Sequence, residues 1–242
     1  MDLGLKGKSV LITGGSKGIG LACAKAFAAE GARLHLAARD RARLEQAAKT
    51  IGGQVETHSV DLRDPAALRK LASECADVDV LVNNAGDIPG GSIETMDEAK
   101  WRHAWELKVF GFINLTREIY PRMKARKNGV IVNVIGMAAE QPTFEYVCGA
   151  AANAGLANFT RAMGKGSREH GVRVVAVHPP ATRTDRIITL MKTQAKIKLG
   201  DENRYEELMG NVMEPEQVGD MVCFLASARA SQLSGVVYNL GG

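Results

Sequence analysis

Short apolar runs recur along the chain between longer stretches rich in alanine and leucine, and this alternation limits the possible folds. The runs that read as strands are Ser9–Thr13, Arg33–Ala38, Gln54–Val60, Asp79–Asn83, Val130–Ile135, Val172–His178 and Val236–Leu240. Several are apolar at nearly every position, which is typical of strands buried on both faces of a parallel sheet. The stretches that predict helices are Ile19–Glu30, Arg41–Thr50, Pro65–Cys75, Asp97–Lys124, Tyr146–Glu169 and Pro215–Ser227.

The order of these elements predicts one domain. The 242 residues contain no internal repeat and no linker rich in Pro, Gly or Ser between the elements. We therefore predict an α/β fold over residues 1–242: a single-domain, Rossmann-type, doubly wound parallel sheet flanked by helices on both faces. The long insertion at 182–213, between a strand and the last helix, is predicted to be a substrate lid.

Composition and charge exclude several classes of protein. The chain has 31 Lys and Arg against 27 Asp and Glu and only 5% aromatic residues, so we expect no nucleic-acid partner. Its four cysteines lack C-x-x-C pairing, and His58, His103 and His178 lack metal spacing, which indicates neither a disulfide framework nor a metal site. No apolar run approaches the ~20 residues of a membrane span. We expect a cytoplasmic protein with no membrane contact.

A glycine-rich loop follows the first strand, with the sequence T-G-G-S-K-G-I-G at residues 13–20. Glycines allow backbone N–H groups to approach a pyrophosphate, and the start of the following helix favours an anion. A loop of this kind also occurs for steric reasons alone, but its position after the first strand favours a phosphate site. The predicted contacts in the loop are Gly14, Ser16, Lys17, Gly18, Ile19 and Gly20.

The T-G-x-x-x-G-x-G spacing resembles the short-chain dehydrogenase/reductase family, and further motifs agree. They are V-D-L at 60–62, N-N-A-G at 83–86, a P-x-x-x-x-T run at 179–184 in which Pro180 replaces the usual glycine, and the last strand. The resemblance spans nearly the whole chain. It implies further cofactor contacts at Asp61, Leu62, Asn83, Ala85, Gly86, Tyr146, Pro179 and Thr184.

The end of the second strand bears on the choice of cofactor. An acidic residue there binds the ribose hydroxyls of NAD, but this sequence has Ala38 followed by Arg39. Arg39 and Lys17 resemble the cations that bind a 2′-phosphate in NADP-dependent family members. The alternative is that both are solvated surface charges. We predict NADP(H) as the cofactor and NAD(H) as the less favoured alternative.

The resemblance also identifies the positions at which the family's chemistry is carried out, and most of them differ here. The proton-transferring tyrosine is Tyr146, but the serine position is Gly136, the lysine position is Ala150 and the asparagine position is Lys108. Without the lysine, Tyr146 loses about 4 kcal/mol of support, the value for a charge at ~4 Å and an effective dielectric of ~20. That loss weakens Tyr146 as a base more than as an acid, so reduction of a carbonyl is favoured.

Lys108 is the second candidate catalytic residue. It lies on the predicted helix face that also carries Trp101, Trp105, Phe112 and Leu115. A charge on an apolar face is costly unless it meets a partner or a polar cavity. Our hypothesis is that its ammonium enters the pocket near Tyr146 and partly replaces the missing cation. The alternative is that it reaches solvent or pairs with a carboxylate.

Two functions remain open at this stage. The first is an NADP(H)-dependent oxidoreductase of the short-chain type that reduces a small-molecule carbonyl to an alcohol. The second is an NADP-binding pseudoenzyme, regulatory or structural, since the serine and lysine positions are Gly136 and Ala150. The resemblance implies a homodimer or homotetramer in either case.

Overall fold

The chain forms one β-sheet in its computed structural model, which describes residues 2–210 and 212–241, apart from the side chains at 190, 193, 194 and 197. Its seven strands are all parallel and run in the order β3-β2-β1-β4-β5-β6-β7. They are β1 (Ser9–Thr13), β2 (Arg33–Ala38), β3 (Val55–Ser59), β4 (Val80–Asn83), β5 (Gly129–Val134), β6 (Val172–His178) and β7 (Val237–Asn239). The predicted doubly wound parallel sheet is confirmed.

Helices cover both faces of this sheet. They are α1 (Gly18–Ala29), α2 (Arg41–Ile51), α3 (Pro65–Glu74), α4 (Glu98–Trp105), α5 (Gly111–Arg126), α6 (Val147–Ser167), α7 (Asp185–Leu199), α8 (Glu206–Met209) and α9 (Pro215–Ala226). Phe27 of α1 and Val222 of α9 are buried against one face, while Leu71 of α3 and Leu115 of α5 are buried against the other. Each such side chain contributes about 1.5–3 kcal/mol of burial free energy, which explains why the strands are apolar on both faces.

The helix predicted over Asp97–Lys124 is present from Glu98 to Arg126, but it is not α-helical throughout. A π-helical turn, Glu106–Phe110, separates α4 from α5 and contains Lys108. Because a π turn bonds i to i+5, it shifts the register of the residues that follow, so the prediction of one regular apolar face was wrong in this detail. Phe112 beyond the turn is fully buried, whereas Lys108 within it is half-buried. Single π turns often lie at functional sites.

The predicted lid segment at 182–213 contains α7, a short 3₁₀ turn (Glu202–Tyr205) and α8. Its two ends are joined by a parallel bridge between Thr182 and Met213. Residue 211 lies outside the described residues. No helix in the described part of the chain is both long enough and apolar enough to cross a membrane.

Candidate active site

The crevice at the carboxyl ends of β1 and β4 is the point at which the strand order reverses, and such crevices bind ligands in doubly wound sheets. Thr13 at the end of β1 accepts hydrogen bonds through Oγ1 from the backbone N–H groups of Asn84 (2.9 Å) and Ala85 (3.1 Å). The Asn84 amide donates to the carbonyl oxygen of Thr13 at 3.0 Å. Sequence reasoning did not assign Thr13 or Asn84 to the site, although both belong to its motifs, and together they join the two loops.

The glycine loop lies directly against the start of α1. A Cβ atom on Gly20 would be only 2.2 Å from the carbonyl oxygen of Gly14, so the loop can pass this close only because residue 20 is glycine. Lys17 precedes α1 without a side-chain capping bond, and the first turn carries no acidic residue. By contrast, Asp40 and Asp64 cap α2 and α3. The uncapped N–H groups of α1 therefore fit the pyrophosphate of a dinucleotide.

The residues after β2 leave positive charge available beside this loop. Lys17 and Arg39 are exposed and form no salt bridge with any described residue. Asp40, which follows Arg39 in the sequence, accepts a bond from the backbone N–H of Arg43 at 3.0 Å and pairs with its Nε at 3.1 Å. Its carboxylate is thus used at the start of α2, which leaves two cations for a ribose phosphate.

Two predicted cofactor contacts make other bonds in this structure. The Asp61 carboxylate binds the guanidinium of Arg63, which holds the pKa of Asp61 below its usual range. The buried Asn83 amide donates to Thr116 Oγ1 (3.2 Å) and Asn133 Oδ1 (3.0 Å), so its side chain serves the interior of the sheet. The cofactor roles of Asp61 and Asn83 stay predictions.

The loop after β6 meets the glycine loop across the crevice. Thr184 Cγ2 lies 3.1 Å from the position that a Cβ atom would take on Gly18. The carbonyl oxygen of Pro179 accepts a bond from the N–H of Met137, which links the loops after β5 and β6. The remaining predicted contacts follow the carboxyl ends of β1, β3 and β4, and are Ser16, Ile19, Leu62 and Ala85.

Tyr146 comes directly before α6, and its ring lies over Gly149. A Cβ atom on Gly149 would be 2.1 Å from ring atoms Cε1 and Cζ, so this ring position requires glycine at 149. The Tyr146 hydroxyl lies 3.4 Å from Nη2 of Arg186, which also donates to the carbonyl oxygen of Ile88. Sequence reasoning missed Arg186 because it belongs to α7, forty positions further along the chain.

Lys108 lies between the ends of β4 and β5. Its stem packs on Gly86, and its Nζ donates to the carbonyl oxygen of Ile135 at 2.6 Å. Burial of the amine, followed by the positive charge of Arg186, lowers the pKa of Lys108 to about 7. The bonding partner of the amine is thus the backbone carbonyl of Ile135 and not a carboxylate. Within the described chain no hydrogen bond joins it to Tyr146, and its catalytic role stays a prediction.

The position of the family serine has a backbone suited to glycine. Gly136 has a φ of 141°, and a Cβ atom there would lie 2.9 Å from Nδ2 of Asn153. That conformation is strained for other residues. Restoring a serine at 136 therefore requires the backbone and Asn153 to move.

A seven-stranded parallel sheet with an uncapped glycine-loop helix at its switch point defines an α/β protein of the dinucleotide-binding class. The family model described as short chain dehydrogenase matches residues 8–195. The chain belongs to the short-chain dehydrogenase family of oxidoreductases, as its motifs predicted.

Similar proteins match the chain along nearly its whole length. A 7alpha-hydroxysteroid dehydrogenase of Escherichia coli is 30% identical, covering 100% of this chain and 95% of that protein. A galactitol 2-dehydrogenase (L-tagatose-forming) of Cereibacter sphaeroides is 33% identical, covering 98% and 95%. The structure of L-sorbose reductase from Gluconobacter frateurii, complexed with NADPH and L-sorbose, has a TM-score of 0.93 at 31% identity and covers 100% of this chain and 98% of that one.

Proposed function

We propose that this chain is an NADP(H)-dependent reductase that converts a carbonyl group to an alcohol, with Tyr146 as the proton donor. One observation carries the proposal: the Arg186 guanidinium lies 3.4 Å from the Tyr146 hydroxyl. It brings a positive charge to the phenol although the family's lysine position is Ala150. The tyrosine therefore has a positively charged partner, which comes from α7 and not from the family's lysine position in α6.

The chemistry of the proposed site follows from these contacts. The nicotinamide, when bound, supplies the hydride that the carbonyl carbon receives. Tyr146 gives its hydroxyl proton to the carbonyl oxygen, and the Arg186 guanidinium stabilises the phenolate left behind through its positive charge and its N–H donors. The Lys108 ammonium adds a second positive charge below its pKa of about 7. Gly14, Gly18 and Gly20 leave room for the cofactor phosphates at the start of α1.

NADPH is expected to bind about 30- to 150-fold more tightly than NADH, equivalent to about 2–3 kcal/mol from two charge-assisted contacts. The cations that would make them are Lys17 and Arg39, which have no salt bridge within the described chain. Fluorescence titration of both cofactors measures the ratio. Arg39→Ser is expected to reduce the preference, whereas Arg41→Ser, two positions further along in α2, is the matched control and keeps it. Equal dissociation constants in the wild-type protein would contradict the assignment.

The substrate class is best tested with the compounds that similar proteins are named for. Ketoses and steroid ketones are taken from those names, simple aldehydes are added as generic carbonyl compounds, and oxidation of NADPH is followed by its absorbance. We expect NADPH-dependent turnover of at least one carbonyl compound by the wild-type chain, and turnover at least about a hundredfold lower by Tyr146→Phe. Equal rates for the two proteins would remove Tyr146 from the mechanism.

A protein that binds the cofactor without turnover is the second candidate. It is favoured by the backbone at Gly136, whose φ of 141° does not suit the family serine, and by Ala150 at the lysine position. NADPH binding together with no turnover on the whole panel would select this function over the first.

We also propose that the segment at 182–213 closes over the substrate as a lid, because Arg186 within it reaches Tyr146. Slower limited proteolysis of this segment in the presence of NADPH and a substrate would support closure. The homodimer or homotetramer expected from the resemblance is also a proposal, and light scattering of the purified chain tests it.

A further inference from the structure

Three potential metal ligands converge beneath α3, away from the crevice. His35 lies within β2, His58 within β3 and Cys75 directly after α3, and their ligand atoms all lie within 4.8 Å of one another. In the sheet register, Ala37 pairs with His58 and His35 pairs with Glu56. Because side chains alternate along a strand, His35 and His58 share one face of the sheet. That face is the one that packs against α3 and Cys75.

The two separations that involve His58 Nε2 are close to those of ligands around one tetrahedral zinc ion. With Zn–N bonds of ~2.05 Å and Zn–S bonds of ~2.3 Å, tetrahedral angles require about 3.3 Å between two nitrogens and about 3.6 Å between nitrogen and sulfur. Here His35 Nδ1 lies 3.2 Å from His58 Nε2, and Cys75 Sγ lies 3.8 Å from the same Nε2. The third pair, His35 and Cys75, has its ligand atoms within 4.8 Å, so one zinc ion can reach all three once Cys75 and His35 draw closer together.

Two carboxylates lie beside the histidines of the cluster, one next to each ring. Glu74 Oε2 lies 3.2 Å from His58 Nδ1, so it accepts that ring proton and leaves the Nε2 lone pair facing the cluster. Glu56 Oε2 lies 3.6 Å from His35 Nδ1, and its side chain is 74% exposed. It is placed to supply the fourth ligand.

A hydrogen bond from His35 Nδ1 to His58 Nε2 accounts for the contact between the two histidines, but it leaves no lone pair on that nitrogen for the Cys75 thiol. His58 Nε2 has one lone pair, yet both His35 Nδ1 and the Cys75 thiol lie within bonding distance of it. One lone pair accepts one proton well, whereas a metal ion uses the lone pairs of all three groups at once. Imidazole and thiolate ligands together favour zinc over magnesium or calcium.

We propose that His35, His58 and Cys75 form a zinc-binding site that joins β2, β3 and α3. On binding, the Cys75 thiol releases its proton to the buffer and its sulfur coordinates the metal. The site is structural, since it ties the edge strand β3 to β2, and Arg39 directly follows β2. It stands independently of the reductase activity. The sequence did not indicate it because the ligands come from three elements without a local spacing.

Metal titration of the purified full chain, freed of metal by chelation, tests the site. We expect one equivalent of Zn²⁺ to bind in competition with a chromophoric chelator. One equivalent of Co²⁺ is expected to produce a thiolate-to-cobalt charge-transfer band. Cys75→Ser is expected to abolish that band, and Glu74→Gln to weaken Zn²⁺ binding by about 10- to 100-fold. Cys223→Ser, which removes another buried cysteine, is the matched control and is expected to change neither result.

Several outcomes would overturn the proposal. These are the absence of Zn²⁺ binding, a cobalt complex without a thiolate band, or Zn²⁺ affinity that is unchanged in Cys75→Ser. If Cys75→Ser does not fold, His58→Gln takes its place, because it keeps a polar side chain of similar size and lies on the edge strand. Zn²⁺ is also expected to raise the midpoint of thermal unfolding of the wild-type chain but not of His58→Gln. An equal rise in both would count against the site.

Discussion

Lys108→Met is expected to have a higher free energy of unfolding than the wild-type protein, and the difference is expected to grow as the pH is lowered from 10.5 to 7. These limits are the ordinary pKa of lysine and the pKa of about 7 that Lys108 has in the folded chain. In this window the unfolded chain holds a proton on Lys108 that the folded chain has released. The free energy of unfolding of the wild type therefore rises with pH by about 1.4 kcal/mol per unit, and the variant lacks this contribution. Over three pH units, the equilibrium constant for unfolding of the wild type therefore changes by roughly a thousandfold.

Urea unfolding of both proteins across this pH range measures the gap between them, which is the difference between their free energies of unfolding. Lys124→Met, on the exposed side of α5, is the matched control, and its gap from wild type is expected to stay constant because its amine is exposed. A constant gap for Lys108→Met as well would mean that burial does not discharge the Lys108 amine. If its ammonium also assists Tyr146, any reductase activity of Lys108→Met is expected to fall at least about tenfold, and most at low pH.

Tyr146→Phe is expected to lower kcat/KM for carbonyl reduction at least about a hundredfold, because it removes the proton donor. Arg186→Met is expected to cost at least about tenfold, since the guanidinium lies 3.4 Å from the Tyr146 hydroxyl and stabilises the phenolate. If Arg186 acts only through the Tyr146 hydroxyl, its removal has no further effect once that hydroxyl is gone. The double variant, which combines Tyr146→Phe with Arg186→Met, is then expected to be no slower than Tyr146→Phe alone.

Steady-state kinetics of the wild type, the two single variants and the double variant give a double-mutant cycle. Lys196→Met, which removes an exposed cation from the same helix, is the matched control and is expected to retain wild-type activity. Arg186→Lys is expected to restore part of the loss, because it keeps the charge but not the guanidinium geometry. Full activity in Arg186→Met, or equal effects of Arg186→Met with and without Tyr146, would rule out this role.

The strands, the glycine loop and the family could be predicted from the sequence because their signals are local. A run such as Val172–His178 is apolar enough to identify itself as a strand, and it begins and ends where predicted. Pro65 and its neighbour Asp64 likewise mark the start of α3 through a cap formed within three residues. Interactions of this range depend on which residues follow one another and not on the rest of the fold.

Only the tertiary structure brought Arg186 to Tyr146, Lys108 to Ile135, and Cys75 to the two histidines. These partners are separated by 17 to 40 positions along the chain, and no periodicity relates them. The π turn around Lys108 also changed the register on which its predicted face depended. The sequence by itself determined that the chain forms a dinucleotide-binding sheet of this family. The packing of helices on that sheet decided which charges surround the tyrosine, because side chains far apart in sequence meet only where the elements carrying them are packed together.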